Sequence, residues 1–125
     1  MPTTCRPPTS ALLMTADPET ALVDARARVL HDLSATLPTT PLVIDALDAA
    51  ISERRDWVEP WPEGAAFLAC LVAQDVQEAI APSVGRWPRC RTNGDHTLHV
   101  EPDLGEDPSW VCESCSAVVA AIGEL

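Results

Sequence analysis

Lysine and tyrosine are absent from this 125-residue chain, Phe67 and Asn93 are the only residues of their kinds, and glycine occurs five times. All eight basic residues are therefore arginines; they face 19 acidic residues, for a formal net charge of −11. A duplex-binding surface draws most of its affinity from basic side chains set against phosphates. A chain this acidic repels nucleic acid unless its arginines are gathered on one face. Neither half is basic: residues 1–85 hold five arginines and 12 acids, and residues 86–125 hold three and seven. No apolar run approaches the ~20 residues that span a bilayer. Ala11-Leu12-Leu13-Met14, preceded only by Arg6, is too short for the core of a signal peptide. No glycine-rich phosphate loop, H-E-x-x-H or G-x-S-x-G motif is present, which removes the signatures of common nucleotide-binding and hydrolytic sites. These absences point to a cytoplasmic, non-enzymatic protein. In that compartment thiols stay reduced, so closely spaced cysteines read as metal ligands before they read as disulfides.

What is present divides the chain in three. Residues 1–16 are rich in proline and threonine without an apolar period, which predicts a disordered tail in which Cys5 is isolated. Residues 17–85 carry three helical patterns. Asp17 caps the first, with Pro18 at its first position, and Leu22, Val29, Leu30, Leu33 and Leu37 form its apolar face before Pro38 ends it. Thr40 and Pro41 repeat the device for a second helix ending near Asp56, with Val43, Ile44, Leu47 and Ile51 inward. Pro62 opens a third over Glu63 to Ala81, closed by Pro82 and apolar nearly all round from Ala65 to Ala73. Short connections between such helices predict a small three-helix bundle. Cys70 falls in its most apolar stretch and reads as a packed free thiol. His31, beside Asp32, reads as part of a solvated face.

From Arg86 helical periodicity stops, and residues 86–125 form the third part. Thr97 to Glu101 and Ser109 to Val111 read as strands, joined by the turn-rich acidic loop Pro102–Pro108. Ala117 to Ile122 is a third apolar run whose valines favour a strand and whose alanines leave a helix open. The whole is an α+β chain.

The chemistry lies in this last part. Cys112-Glu113-Ser114-Cys115 is a C-x-x-C pair, whose tight turn brings two sulfurs onto one ion. Cys90 and His96 upstream supply two more donors of the kind zinc takes in tetrahedral sites, at the far end of a predicted hairpin. Two ligand pairs at the ends of a hairpin resemble the zinc-ribbon mini-domains, with the treble clef as a close relative, over Cys90 to about Ile122. The resemblance implies bound Zn²⁺ held by Cys90, His96, Cys112 and Cys115. The departure is at the first pair, where Asn93 stands at the usual place of the second ligand and His96 comes three residues later. His99 competes with His96 but lies further along the strand. A thioredoxin-like redox pair needs a βαβ context that is not visible, and an iron–sulfur cluster would have to recruit Cys70 from the bundle. Four protein ligands close a metal site and leave no place for a reactive water. The expected function is a non-catalytic zinc protein that serves as an interaction adaptor or assembly component with a protein partner. The alternative is a nucleic-acid-associated regulator using Arg86, Arg89 and Arg91. The bias toward arginine, alanine and proline is that of a high-GC bacterial or phage genome and bears on origin alone.

Overall fold

The computed structural model describes residues 17–125; the expected tail, 1–16, and its Cys5 lie outside the described residues. The first helix, α1, is Pro18–Thr36, and its start follows from Asp17, whose carboxylate accepts from the Thr20 amide at 3.1 Å. α2 is Pro41–Val58, begun in the same way by Thr40, whose hydroxyl accepts from Val43 N at 3.4 Å. It runs past the expected end at Asp56 because Val58 is buried and Trp57 packs edge-on to Trp61, with centroids 5.2 Å apart.

The third helical segment departs from expectation at both ends. Pro62–Phe67 is a 3-10 helix, and α3 proper is Leu68–Val84. Gly64 lies beneath the two indoles, where a Cβ would come within 2.8 Å of Trp57 and Trp61. Pro82 does not stop α3. The carbonyl it leaves unpaired belongs to the last, solvent-facing turns, where water replaces the amide. The helix ends one turn later at Gly85, whose φ of 83° suits glycine and whose amide donates to Ala81 O at 2.9 Å. Within Pro62–Val84 an 18-residue stretch reaches a mean hydropathy of 1.2, enough by length and composition alone to cross a bilayer, although acidic and amide residues interrupt it and no unbroken apolar run is that long. Its apolarity has another cause here: Leu68, Cys70, Val72, Ala73, Val76 and Ile80 are all buried against the other two helices.

Three short strands follow: β1 (His99–Glu101), β2 (Ser109–Cys112) and β3 (Ala117–Ala121), an antiparallel sheet in the order β1-β2-β3. The architecture is thus α+β, and the ambiguous run after Cys115 is a strand. β1 begins later than the expected Thr97, which makes only an isolated bridge to Arg89. Val100 and Trp110 are opposite each other and both buried, so this face of the sheet turns inward.

The buried core runs without a break from Leu22 in α1 to Ile122 after β3, across the composition change at Gly85. Polar bonds cross the same position. Gln77 of α3 donates to the carbonyls of Trp87 and Leu98 at 3.0 and 2.9 Å, and Gln74 donates to Asp103 O at 2.7 Å. The Trp87 indole donates to Thr36 at 2.8 Å and meets the Trp110 ring edge-on.

Candidate metal centre

The 90–96 segment folds because Asn93 builds its turn. Asp95 N donates to the Asn93 side chain at 3.0 Å, His96 N to Asn93 O at 3.0 Å, and Cys90 N to His96 O at 2.9 Å. The residue standing where a second ligand is usual therefore shapes the loop that carries His96 back to Cys90. The Arg89–Thr97 bridge closes its base. On the other side, the β2–β3 turn reverses at Cys112–Cys115. Ser116 takes a left-handed φ of 53°, and its amide bonds to Glu113 O at 3.1 Å. The Cys115 amide points at the Cys112 sulfur, 3.4 Å away.

These two turns bring Cys90, His96, Cys112 and Cys115 together, with one ligand atom from each lying within 4.8 Å of all the others. Cys90 Sγ and Cys115 Sγ are 3.8 Å apart; His96 Nδ1 lies 3.6 Å from Cys112 Sγ and 3.5 Å from Cys115 Sγ. A tetrahedral zinc ion, about 2.3 Å from sulfur and about 2.0 Å from nitrogen, sets its donors about 3.8 Å (S···S) and about 3.5 Å (S···N) apart. The spacings fit a single ion of that size held by three thiolates and one imidazole. Cys90 and Cys112 are buried and Cys115 is exposed, so the cluster sits at the surface with one sulfur facing solvent.

The thiols do not share negative charge easily. The amides of Asn93 and Thr92 stabilise the Cys90 thiolate and draw its pKa down to about 6, whereas the neighbouring Cys112 and Cys90 sulfurs push Cys115 up to about 11. A divalent cation among the three reverses that penalty, because a coordinated thiol is held as thiolate.

The competing donors are elsewhere. His99 is turned to Glu101, with Nε2 2.6 Å from Oε2. Cys70 is fully buried in α3, its sulfur 3.1 Å from Phe67 O, and burial raises its pKa. It takes no part in the cluster, so a four-cysteine iron–sulfur site is not assembled among the described residues. His31 is exposed, as expected, but its neighbour Asp32 is not. The Asp32 carboxylate is fully buried and accepts from Trp110 Nε1 at 2.7 Å, Gly123 N at 2.7 Å and Leu125 N at 2.9 Å. It ties α1 to the strand that ends in Cys112 and to the chain after β3. A faint sequence signal for it exists: the acid falls on the same helical face as Val29 and Leu33.

Searches among curated proteins and among solved structures return no significant match. The family model that does match, described as a domain of unknown function (DUF8819), takes in residues 18–122, and the chain belongs to that family.

Proposed function

We propose that this is a non-catalytic zinc protein whose metal holds the 86–125 segment in shape for recognition by a protein partner in the cytoplasm. The observation that carries the zinc reading is the convergence of three sulfurs and His96 Nδ1 at 3.5–3.8 Å. With all four positions filled by side chains, the ion offers no open site for substrate or water, so its role is structural.

Support for a partner comes from the tryptophans. Trp87 and Trp110 are core residues, but Trp61 is 42% exposed. It is braced by Trp57 on one side and by Phe67, 5.9 Å away, on the other. A rigid, partly exposed tryptophan backed by other aromatics is the kind of anchor that dominates protein interfaces.

The nucleic-acid alternative is weakened by how its arginines are engaged. Arg86 and Arg89 donate to the carbonyls of Asp95 and Gly94 at 3.1 and 2.9 Å and so brace the loop that carries His96, while Arg91 donates to Leu125 O at 2.6 Å and ties that loop to the segment after β3. Affinity capture of tagged wild type and Trp61→Ala from the native host, read by mass spectrometry, tests the reading. Proteins recovered with wild type and lost with Trp61→Ala support it. Recovery of RNA or DNA that does not depend on Trp61 supports the alternative.

A further inference from the structure

We infer that Cys115 is a modification site: a hydroperoxide oxidises it, Cys90 resolves it as a disulfide, and that disulfide replaces the metal as the staple of the C-terminal segment. The inference rests on the metal reading and adds to it the regulation of the same site.

The four cysteines among the described residues differ sharply in access. Cys70 and Cys112 are fully buried, Cys90 is 5% exposed, and Cys115 alone is open to solvent. Of these four, a peroxide therefore meets Cys115 first. A sulfur is at hand to receive it: Cys90 Sγ lies 3.8 Å away, across the two turns, and is slightly open where Cys112 is fully buried and takes the Cys115 amide on its sulfur. A disulfide bond is about 2 Å long, so the pair closes by a movement of about 2 Å. Cys115 sits on an exposed turn, where rotation of its side chain toward Cys90 provides it.

The chemistry balances with one hydroperoxide per protein. The Cys115 thiolate attacks an oxygen of the O–O bond, which breaks; an alcohol (water, for hydrogen peroxide) departs after taking a proton, and sulfenic acid remains on Cys115. The Cys90 thiolate then attacks that sulfur, the S–O bond breaks, and hydroxide leaves as water with a second proton. Two sulfurs have lost one electron each, and the peroxide oxygens have gained two. Cys112 and His96 are then the remaining donors, two where a closed site has four.

The consequence for the fold is specific. Metal and disulfide join the same two pieces of chain, the 90–96 turn and the β2–β3 turn. Oxidation thus removes the ion and keeps the connection, whereas chelation of the reduced protein removes both. In the oxidised form Trp110 keeps its place over Asp32, and Cys112 becomes a free thiol beside a vacated imidazole. The exposed corner of the molecule changes while the core does not.

The test uses the full chain, with zinc measured before any oxidant is added; zinc-free protein overturns the metal reading and this inference together. Zinc-loaded protein is then titrated with hydrogen peroxide. Metal release is read with a chromogenic chelator, disulfides by peptide mass mapping after alkylation, and hydrogen exchange over 86–125. The expected result is one equivalent of zinc released per Cys90–Cys115 disulfide, with Cys70 and Cys112 still alkylated. The β2 amides remain protected in the oxidised protein and exchange in reduced, chelated protein, and a thiol reductant with zinc restores the starting state. A disulfide through Cys112, zinc retained while Cys115 is oxidised, or β2 amides that open equally on oxidation and chelation overturns the inference and leaves the metal reading standing.

Discussion

Replacing Asp32 with alanine removes the acceptor of three hydrogen bonds at once, those from Trp110 Nε1, Gly123 N and Leu125 N. The site is fully buried, so water does not take over. A hydrogen bond to a charged group contributes about 1.5–3 kcal/mol, and stranding buried donors adds a desolvation cost. The three share one carboxylate and do not add independently, so the loss is about 3–5 kcal/mol, most of it from the donors left unpaired in the core. For a domain of this size that lowers the thermal midpoint by roughly 15 °C or more. Asparagine is the finer probe. Trp110 and Gly123 both reach Oδ2 and Leu125 reaches Oδ1. An amide with its oxygen at the Oδ2 position keeps the first two bonds and sets its NH2 against the Leu125 amide, a loss of about 1–2 kcal/mol. The assay is thermal unfolding by circular dichroism for the helices, with hydrogen exchange read separately over 17–85 and 86–125. Because the core is continuous and Asp32 joins the two parts, both should lose protection together. A cost below about 1 kcal/mol for alanine would refute the reasoning. So would C-terminal amides that open while the helices melt as in wild type; that result would support the boundary near Gly85 that composition suggests.

Other substitutions test the packing and the ligand set. Gly64→Ala places a methyl 2.8 Å from Trp57 and Trp61 and should destabilise by about 1–3 kcal/mol in chemical denaturation. Arg54 makes a two-pronged pair with Asp75 at 2.6 and 2.8 Å, largely shielded from solvent, and lies 5.3 Å over the Trp57 ring. Arg54→Ala should therefore lower the melting temperature clearly. Arg55→Ala, which breaks only the exposed pair with Glu19, should leave it nearly unchanged in physiological salt; equal effects would contradict this ranking. His96→Ala should weaken zinc retention against a competing chelator at least tenfold, the scale on which losing even a hydrogen bond to a ligating side chain is felt. His99→Ala should leave it unchanged, since that ring serves Glu101.

Much of this was legible where the signal is local. Asp17-Pro18 and Thr40-Pro41 start helices because a side-chain acceptor and a pre-set φ act within three residues, and both caps form. The C-x-x-C pair, Cys90 and His96 point to one site because ligand chemistry restricts the residue types. The parts that escaped depend on distant sequence. Asp32 reads as a solvated acid beside His31 until Trp110, Gly123 and Leu125, 78 to 93 residues away, are brought to it. Pro82 reads as a helix end, yet near a solvated terminus it removes only a bond that water replaces. Ala117–Ala121 is strand because β2 lies beside it, a pairing that its alanines do not announce.

The account stands on the ion. X-ray absorption at the zinc edge, with elemental analysis of protein purified without chelator, tests it most directly. One zinc per chain, colourless, with three sulfur neighbours at about 2.3 Å and one nitrogen at about 2.0 Å is the expected result. Iron with visible absorption, a shell of oxygen and nitrogen alone, or metal-free protein whose 86–125 amides are fully protected would contradict it.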